Sequence, residues 1–188
     1  MYPPRLAFYS TTPQQGKSTA CNILQSRFAY LRASFADPLK AMIRALLKEC
    51  LLSDEEIERY MTKAKEEAIE LVGASYRHVV RTLATEWGRL TIKESLWIDI
   101  MQRKIDATSV LPAGFCVDDM RFPNELEMLK RNGFKLVKIV RDTKRDLSQD
   151  QHVSDTALRG FDDFDYVIDN NGGHAELSKA LEQIVMHY

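Results

Sequence analysis

Two clusters in this chain combine residue types that handle phosphate. The first is Ser10-Thr11-Thr12-Pro13-Gln14-Gln15-Gly16-Lys17-Ser18-Thr19, between an apolar run and an amphipathic one. Its back half, Gly16-Lys17-Ser18, fits G-x-x-x-x-G-K-[ST], in which backbone N–H groups wrap phosphate oxygens, the lysine reaches the β/γ-phosphates and the hydroxyl ligates Mg²⁺. The front half departs from that pattern, because Thr11 stands where the first glycine would be. Forcing Thr11 into a glycine-like backbone would cost about 1–3 kcal/mol. The plainer alternative is an ordinary turn entering a helix.

The second cluster closes the apolar run Gly114-Phe115-Cys116-Val117 with Asp118 and Asp119. A carboxylate at the end of a buried strand is what a nucleotide site uses to support the Mg²⁺ shell. Between the clusters, Arg77, Arg81, Thr85 and Arg89 recur every four residues. They form either a solvated helix face with Glu86 as a partner or a set of guanidinium clamps for a phosphate, and composition does not choose between the two.

These groups need elements to hold them. Arg5 to Ser10 reads as a short buried strand, and Ala20, Leu24 and Phe28 recur at helical spacing, so the loop joins a strand to a helix N-terminus. Ala29 to Ala36 is a second strand candidate, followed by Asp37 as N-cap and Pro38 in the first turn of a helix. A carboxylate there faces the crevice at the strand ends. Residues 37–113 contain no convincing strand and read as a helical insert. In it, Ser53 and Glu56 form a capping box, Val79, Val80, Leu83, Trp87 and Leu90 mark an apolar helix face, and Trp97 joins a stripe more typical of core than of base stacking.

Strands follow at 114–119, 135–141 and 165–170. Pro123 and Gly133 bracket a helix, and another ends the chain. The polar stretch 142–155 reads as a surface loop or a lid, with Arg141, Arg145 and His152 as phosphate contacts. The expected fold is α/β, a five-stranded, mainly parallel sheet in a three-layer sandwich with the insert.

Bulk properties exclude several classes. Lys+Arg at 26 against Asp+Glu at 27 gives a net charge of -1 without a basic tail, which argues against binding nucleic acid. Cys21, Cys50 and Cys116 are scattered without C-x-x-C spacing, and the four histidines show no metal spacing. With no signal segment or membrane span in the pattern, the expectation is a cytoplasmic enzyme.

Taken in order, Gly16-Lys17-Ser18, Phe35-Ala36-Asp37-Pro38-Leu39-Lys40, Tyr76-Arg77, Thr85-Glu86-Trp87-Gly88-Arg89, Trp97, Asp119-Met120-Arg121-Phe122-Pro123-Asn124-Glu125 and His152-Val153-Ser154-Asp155 resemble the phage-type deoxynucleoside monophosphate kinases, a branch of the P-loop kinases. The run from Asp165 to Gly172 also looks like the end of dephospho-CoA kinases. The first resemblance implies ATP, Mg²⁺ and a deoxynucleoside monophosphate as ligands. It implies Gly16, Lys17, Ser18 and Thr19 at the ATP phosphates, Ser18 and Asp119 at the metal, and Arg145, Asn171 and Gly172 toward the ATP. Asp37, Lys40, Trp97 and His152 would meet the acceptor, Arg77, Arg89 and Arg121 its phosphate, and Thr85 and Glu86 would orient those arginines or the deoxyribose. Ala84 departs from the glycine usual in that helix motif. Homodimerisation is compatible with the resemblance. A kinase of another acceptor, such as dephospho-CoA, and a silent nucleotide-binding module are the competing readings.

Overall fold

The computed structural model describes residues 3–108, 111, 113–142 and 157–187. The chain divides into two compact units, Phe35–Ile100 and the remainder.

The remainder is built on a five-stranded sheet of β1 (Arg5–Tyr9), β2 (Leu31–Ala33), β5 (Phe115–Val117), β6 (Phe134–Val140) and β7 (Tyr166–Asp169). Their order is β2-β5-β1-β6-β7, and every pairing is parallel. The strands are short and nearly continuous in apolar character because both sheet faces are covered. From β1 the chain moves outward to β2 through α1 (Lys17–Phe28). From β5 it moves the opposite way to β6 through α6 (Pro123–Arg131). Right-handed crossovers in opposite directions put these two helices on opposite faces and make β1 the switch point, where open α/β sheets form their ligand crevice.

One face carries Leu6, Phe8, Val137, Ile139 and Ile168 against Ala20, Ile23 and Leu24 of α1 and Leu177, Leu181 and Ile184 of α7 (His174–Met186). On the other face, Phe115 and Phe134 meet edge to face and Tyr9 stacks on Phe164, their centroids 5.5 Å apart. The segment holding Phe164 is tied down by Lys138 to Asp162 at 2.8 Å, Lys130 to Asp163 at 2.6 Å and Lys135 to Asp165 at 3.0 Å. Asp165 also accepts from the Leu136 N–H at 2.8 Å. Burial works against its charge, but this hydrogen bond and Lys135 more than offset it and hold its carboxyl below the ordinary value.

The unit Phe35–Ile100 contains α2 (Asp37–Glu49), α3 (Asp54–Thr62) and α4 (Tyr76–Thr82), packed around Ile43, Leu47, Ile57, Ile69 and Tyr76. Ser53 and Glu56 form the expected capping box on α3. Three features differ from the sequence expectation. A small antiparallel hairpin, β3 (Ala68–Ile69) with β4 (Ala74–Ser75), lies inside the stretch expected to be free of strands. Two-residue strands are too short to leave an alternation pattern. Asp37 is the first residue of α2 rather than its cap, which is Ala36, and it pairs with Lys40 at 3.7 Å.

The third difference follows α4, whose helix continues from Leu83 to Ile92 in π-helical form. There the apolar face read from the sequence breaks up. Val79, Val80 and Leu83 pack on the core, whereas Leu90 is 76% exposed. A helix α5 (Leu96–Thr108) follows. No helix among the described residues is long and apolar enough to cross a membrane.

Gly114 opens β5 directly against Tyr30, and a Cβ added there would lie 2.4–2.5 Å from three ring carbons. Gly114→Ala is therefore expected to lower the urea unfolding free energy by about 1–3 kcal/mol, as overpacking of a closed core does. An unchanged midpoint and slope would show that the ring can move aside.

Candidate active site

The loop after β1 is shaped by two left-handed residues, Gln14 at φ 63° and Gly16 at φ 111°. Thr11 is not among the positive-φ residues and sits exposed, so the cost anticipated for a missing glycine does not arise at that position. Buried Ser10 donates from Oγ to the Thr12 carbonyl at 2.7 Å, and the Lys17 ammonium reaches back to the same hydroxyl. Gly16 caps α1, so Lys17, Ser18 and Thr19 lie in its first turn, where unsatisfied N–H groups and the helix dipole favour an anion.

Asp118, one residue beyond the end of β5, is buried, and its Oδ2 accepts from Ser18 Oγ at 2.7 Å. Oδ2 also accepts from the Arg32 guanidinium, reaching across from β2. Burial works against the charge of Arg32, but Asp118 more than offsets this and raises its pKa. The sequence reading assigned the metal carboxylate to Asp119, whereas the carboxylate that meets Ser18 is Asp118. Asp119 is partly buried and makes other contacts. A two-residue run of aspartates following a three-residue strand gives no phase from which to tell which one turns toward the neighbouring helix.

Asp118 Oδ1 is buried and has no hydrogen-bond partner among the described residues. An unpartnered carboxylate oxygen beside a serine hydroxyl is a hard-oxygen pair of the kind that Mg²⁺ takes together with phosphates and water. Among the described residues, no group of three or more His, Cys, Asp or Glu could hold a metal ion by itself. Ser18 and Asp118 fit a divalent cation whose remaining ligands come from a bound anion and water.

The far side of the loop is held by the end of β7. Asn170, buried, donates from Nδ2 to the Gln15 carbonyl at 2.8 Å, and a Cβ on Gly16 would come within 2.4 Å of that amide nitrogen. Gln15 in turn donates to the Arg141 carbonyl at 3.2 Å. The next residue, Asn171, accepts from the Asp142 N–H at 2.8 Å, and Gly172 precedes α7. After Asp119 and Met120, Arg121 is exposed, and its N–H is bound at 2.7 Å by Glu125, a buried carboxylate that also takes the Phe122 N–H at 3.1 Å. Glu125 thus fixes the turn that carries Arg121. Arg145, His152 and residues 143–155 of the expected lid lie outside the described residues.

Within the unit Phe35–Ile100, cationic groups gather. Arg77 is ion-paired with Glu66, and its N–H donates to the Lys65 carbonyl at 3.0 Å. Lys65 is exposed as a residue, yet local desolvation of its ammonium, with the charges of Arg77 and Lys40 nearby, lowers its pKa. Mutual repulsion of this kind is relieved by a bound anion. Arg89 is 8% exposed, which excludes the solvated-face reading for that residue, and its Nη1 donates to the Glu94 carbonyl at 3.4 Å. The Thr85 hydroxyl is buried without a partner among the described residues, while Glu86 is exposed. Trp97 is buried in this unit.

Three residues here escaped the sequence reading. Arg32 lies inside the strand candidate Ala29 to Ala36, to which no role beyond the strand was given. Asn170 was passed over for its neighbour, and Lys65 sat in a lysine- and glutamate-rich run without periodicity. Only the alignment of Arg32 opposite Cys116, two residues short of Asp118, would have raised the first, and that register is a tertiary fact.

The profile of the deoxynucleotide monophosphate kinase family matches residues 17–181. A protein of Acanthamoeba polyphaga mimivirus, provisionally named a deoxynucleotide monophosphate kinase, is 32% identical over 173 residues, covering 83% of this chain and 83% of the viral protein. The match runs from Lys17 through the arginine-bearing helix and the strand-end carboxylates into the closing helix α7, and so this chain, a kinase by that kinship, belongs to the deoxynucleotide monophosphate kinase family.

Proposed function

We propose that the chain transfers the γ-phosphoryl group of ATP to the phosphate of a deoxynucleoside monophosphate by in-line attack, supplying diphosphates for DNA precursors. The observation that carries this reading is the hydroxyl of Ser18, next to Lys17 in the chain, bonded to Asp118, with Asp118 Oδ1 buried and unpartnered among the described residues. The acceptor oxygen is already anionic, so no protein nucleophile is needed. Catalysis then rests on holding two polyanions together and stabilising charge on the transferring group.

The roles follow from the chemistry of each group. Lys17 leaves the Ser10 hydroxyl for the β/γ-phosphates, while Gly16, Ser18 and Thr19 supply N–H groups. Mg²⁺, held by Ser18 and Asp118 together with the nucleotide, would supply charge neutralisation between the β- and γ-phosphates. Asn171 and Gly172 border the donor base, with Arg145 at the ATP. In the helical unit, Lys40, Lys65, Arg77 and Arg89 bind the acceptor phosphate, with Arg121 as a further guanidinium and His152 on the acceptor side. Asp37 and Thr85 meet the deoxyribose or orient the arginines, together with Glu86. The crowding of Lys65, Lys40 and Arg77 supports an anion there.

An ADP-release assay with ATP and Mg²⁺ against a panel of dNMPs, NMPs and dephospho-CoA tests the reading. Deoxynucleoside monophosphates should stimulate release, and stimulation by dephospho-CoA alone would overturn it. Lys17→Ala should keep its circular dichroism spectrum and lose about 10²–10³-fold in kcat, the scale of one removed transition-state donor. Asp118→Asn should raise the Mg²⁺ concentration for half-maximal rate by tenfold or more, on the order of the changes seen at metal-supporting positions, whereas Asp119→Asn should move it little. The reverse ranking would return the metal to Asp119. Lys65→Ala should raise the acceptor KM by about tenfold and leave the ATP KM alone, the pattern of a lost charged contact on one substrate.

A further inference from the structure

Trp97 has a different part from the one its place in the sequence suggests. It lies in the first turn of α5 and is 3% exposed, and its indole N–H donates to the Ala84 carbonyl at 2.8 Å. The ring lies against the backbone of Gly88, where an added Cβ would come within 2.3 Å of Cζ2 and 2.7 Å of Nε1. Trp87, 39% exposed, tilts against it with centroids 6.3 Å apart and planes at 37°. An indole so enclosed, its N–H already donated, offers a nucleobase neither an open face nor a donor.

What Trp97 does touch is the π-helical segment Leu83–Ile92. Inside that segment the Thr91 hydroxyl donates to the Glu86 carbonyl at 2.8 Å, and at its end the Lys93 N–H reaches the Gly88 carbonyl, five residues back, at 2.9 Å. A π-helix of this length is rare and needs something to hold it against the α-form. In the α-form the Ala84 carbonyl would take the Gly88 N–H, whereas in the i→i+5 pattern its backbone donor is the Arg89 N–H, and the indole N–H is a further donor to that carbonyl.

The register matters for the arginine stripe. In an α-helix, residues four apart overshoot a full turn by about 40°. An i→i+5 turn takes up close to one residue more, so residues four apart fall short of a full turn. On ideal helix parameters the two drifts oppose each other between α4 and the π-helical segment, so Arg77, Arg81, Thr85 and Arg89 would stay closer to one line than in a continuous α-helix. Rewound as an α-helix, the same residues would spiral away from it and carry Arg89 off the line.

We propose that Trp97 is a positioning residue that holds the π-helical register through Ala84 and Gly88 and thereby sets Arg89 for the acceptor phosphate. The inference rests on the reading of Arg89 as an acceptor-phosphate contact given above.

The chain has two tryptophans, so Trp87→Phe leaves Trp97 as the only indole fluorophore. In that variant the emission should resist acrylamide and change little at saturating concentrations of each of the four dNMPs. Loss of half or more of it on adding a dNMP would mean base stacking and overturn the proposal. Trp97→Phe keeps a ring in the core and removes the N–H. A folded Trp97→Phe protein, checked by its melting curve, should show an acceptor KM raised about tenfold with the ATP KM within about twofold, a split that general destabilisation does not produce.

In the Arg89→Lys background, which keeps the charge and loses the fork, Trp97→Phe should add almost nothing, because two residues acting through one contact are not additive. Additive effects, or an unchanged acceptor KM in folded Trp97→Phe, overturn the positioning role. If Arg89→Lys itself leaves the acceptor KM untouched, the acceptor-phosphate reading of Arg89 falls and takes the positioning role with it. A weakened Arg89→Lys beside a neutral Trp97→Phe removes the positioning role alone.

Discussion

The sheet-built unit depends on a contact between its first loop and its last strand. Asn170, at the end of β7, bonds the Gln15 carbonyl, and its amide occupies the space that a side chain on Gly16 would need. Gly16 is thus required twice over, once for a left-handed φ and once for this close approach. The loop therefore closes against something fixed. With Gly16 also capping α1, one point joins β1, α1 and β7, and the N–H groups of the first turn of α1 are aimed before any ligand arrives. Preorganisation of this kind is what the phosphoryl transfer proposed above would rely on.

The same logic governs the charged centre beside the loop. A buried aspartate is costly unless paired, and among the described residues Asp118 is paired through Oδ2 alone, by Arg32 and Ser18 together. Two donors on Oδ2 fix the plane of the carboxylate and leave Oδ1 for other work. Arg32 bridges further to Asn22 of α1 at 2.6 Å, so the strand bearing Arg32, the helix bearing Ser18 and the residue after β5 are tied at one place. A neutral side chain at residue 118 would not need this arrangement. Its presence is an argument that the charge is there for function.

Much of this was readable from sequence because it is local. The loop joining β1 to α1, the Ser53 capping box, Pro123 and the five sheet strands each follow from a short run of residues and its period. What was lost is what depends on register. Asp118 and Asp119 are chemically the same, and only the end of β5 beside α1 separates them. Arg32 and Asn170 acquire their roles from neighbours 86 and 155 residues away in the chain. The hairpin Ala68–Ile69 with Ala74–Ser75 was missed because its strands are shorter than any periodic signal.

The helix bearing the arginines is the instructive case, since Arg77, Arg81, Thr85 and Arg89 recur at a spacing of four and the apolar face read from the same run does not hold together. Both outcomes have one cause. An α-helix predicts that Val79, Leu83, Trp87 and Leu90 share a buried face, and Leu90 is out in solvent because the helix has changed pitch by then. A strict four-residue repeat is not an α-helical period, and over twelve residues it drifts by a third of a turn. A sequence that places three arginines and a threonine at that spacing is therefore better matched to a helix that loosens part-way along. The glycine at residue 88 and the tryptophan at residue 97, each odd for an ordinary amphipathic helix, are the pair that lets it do so.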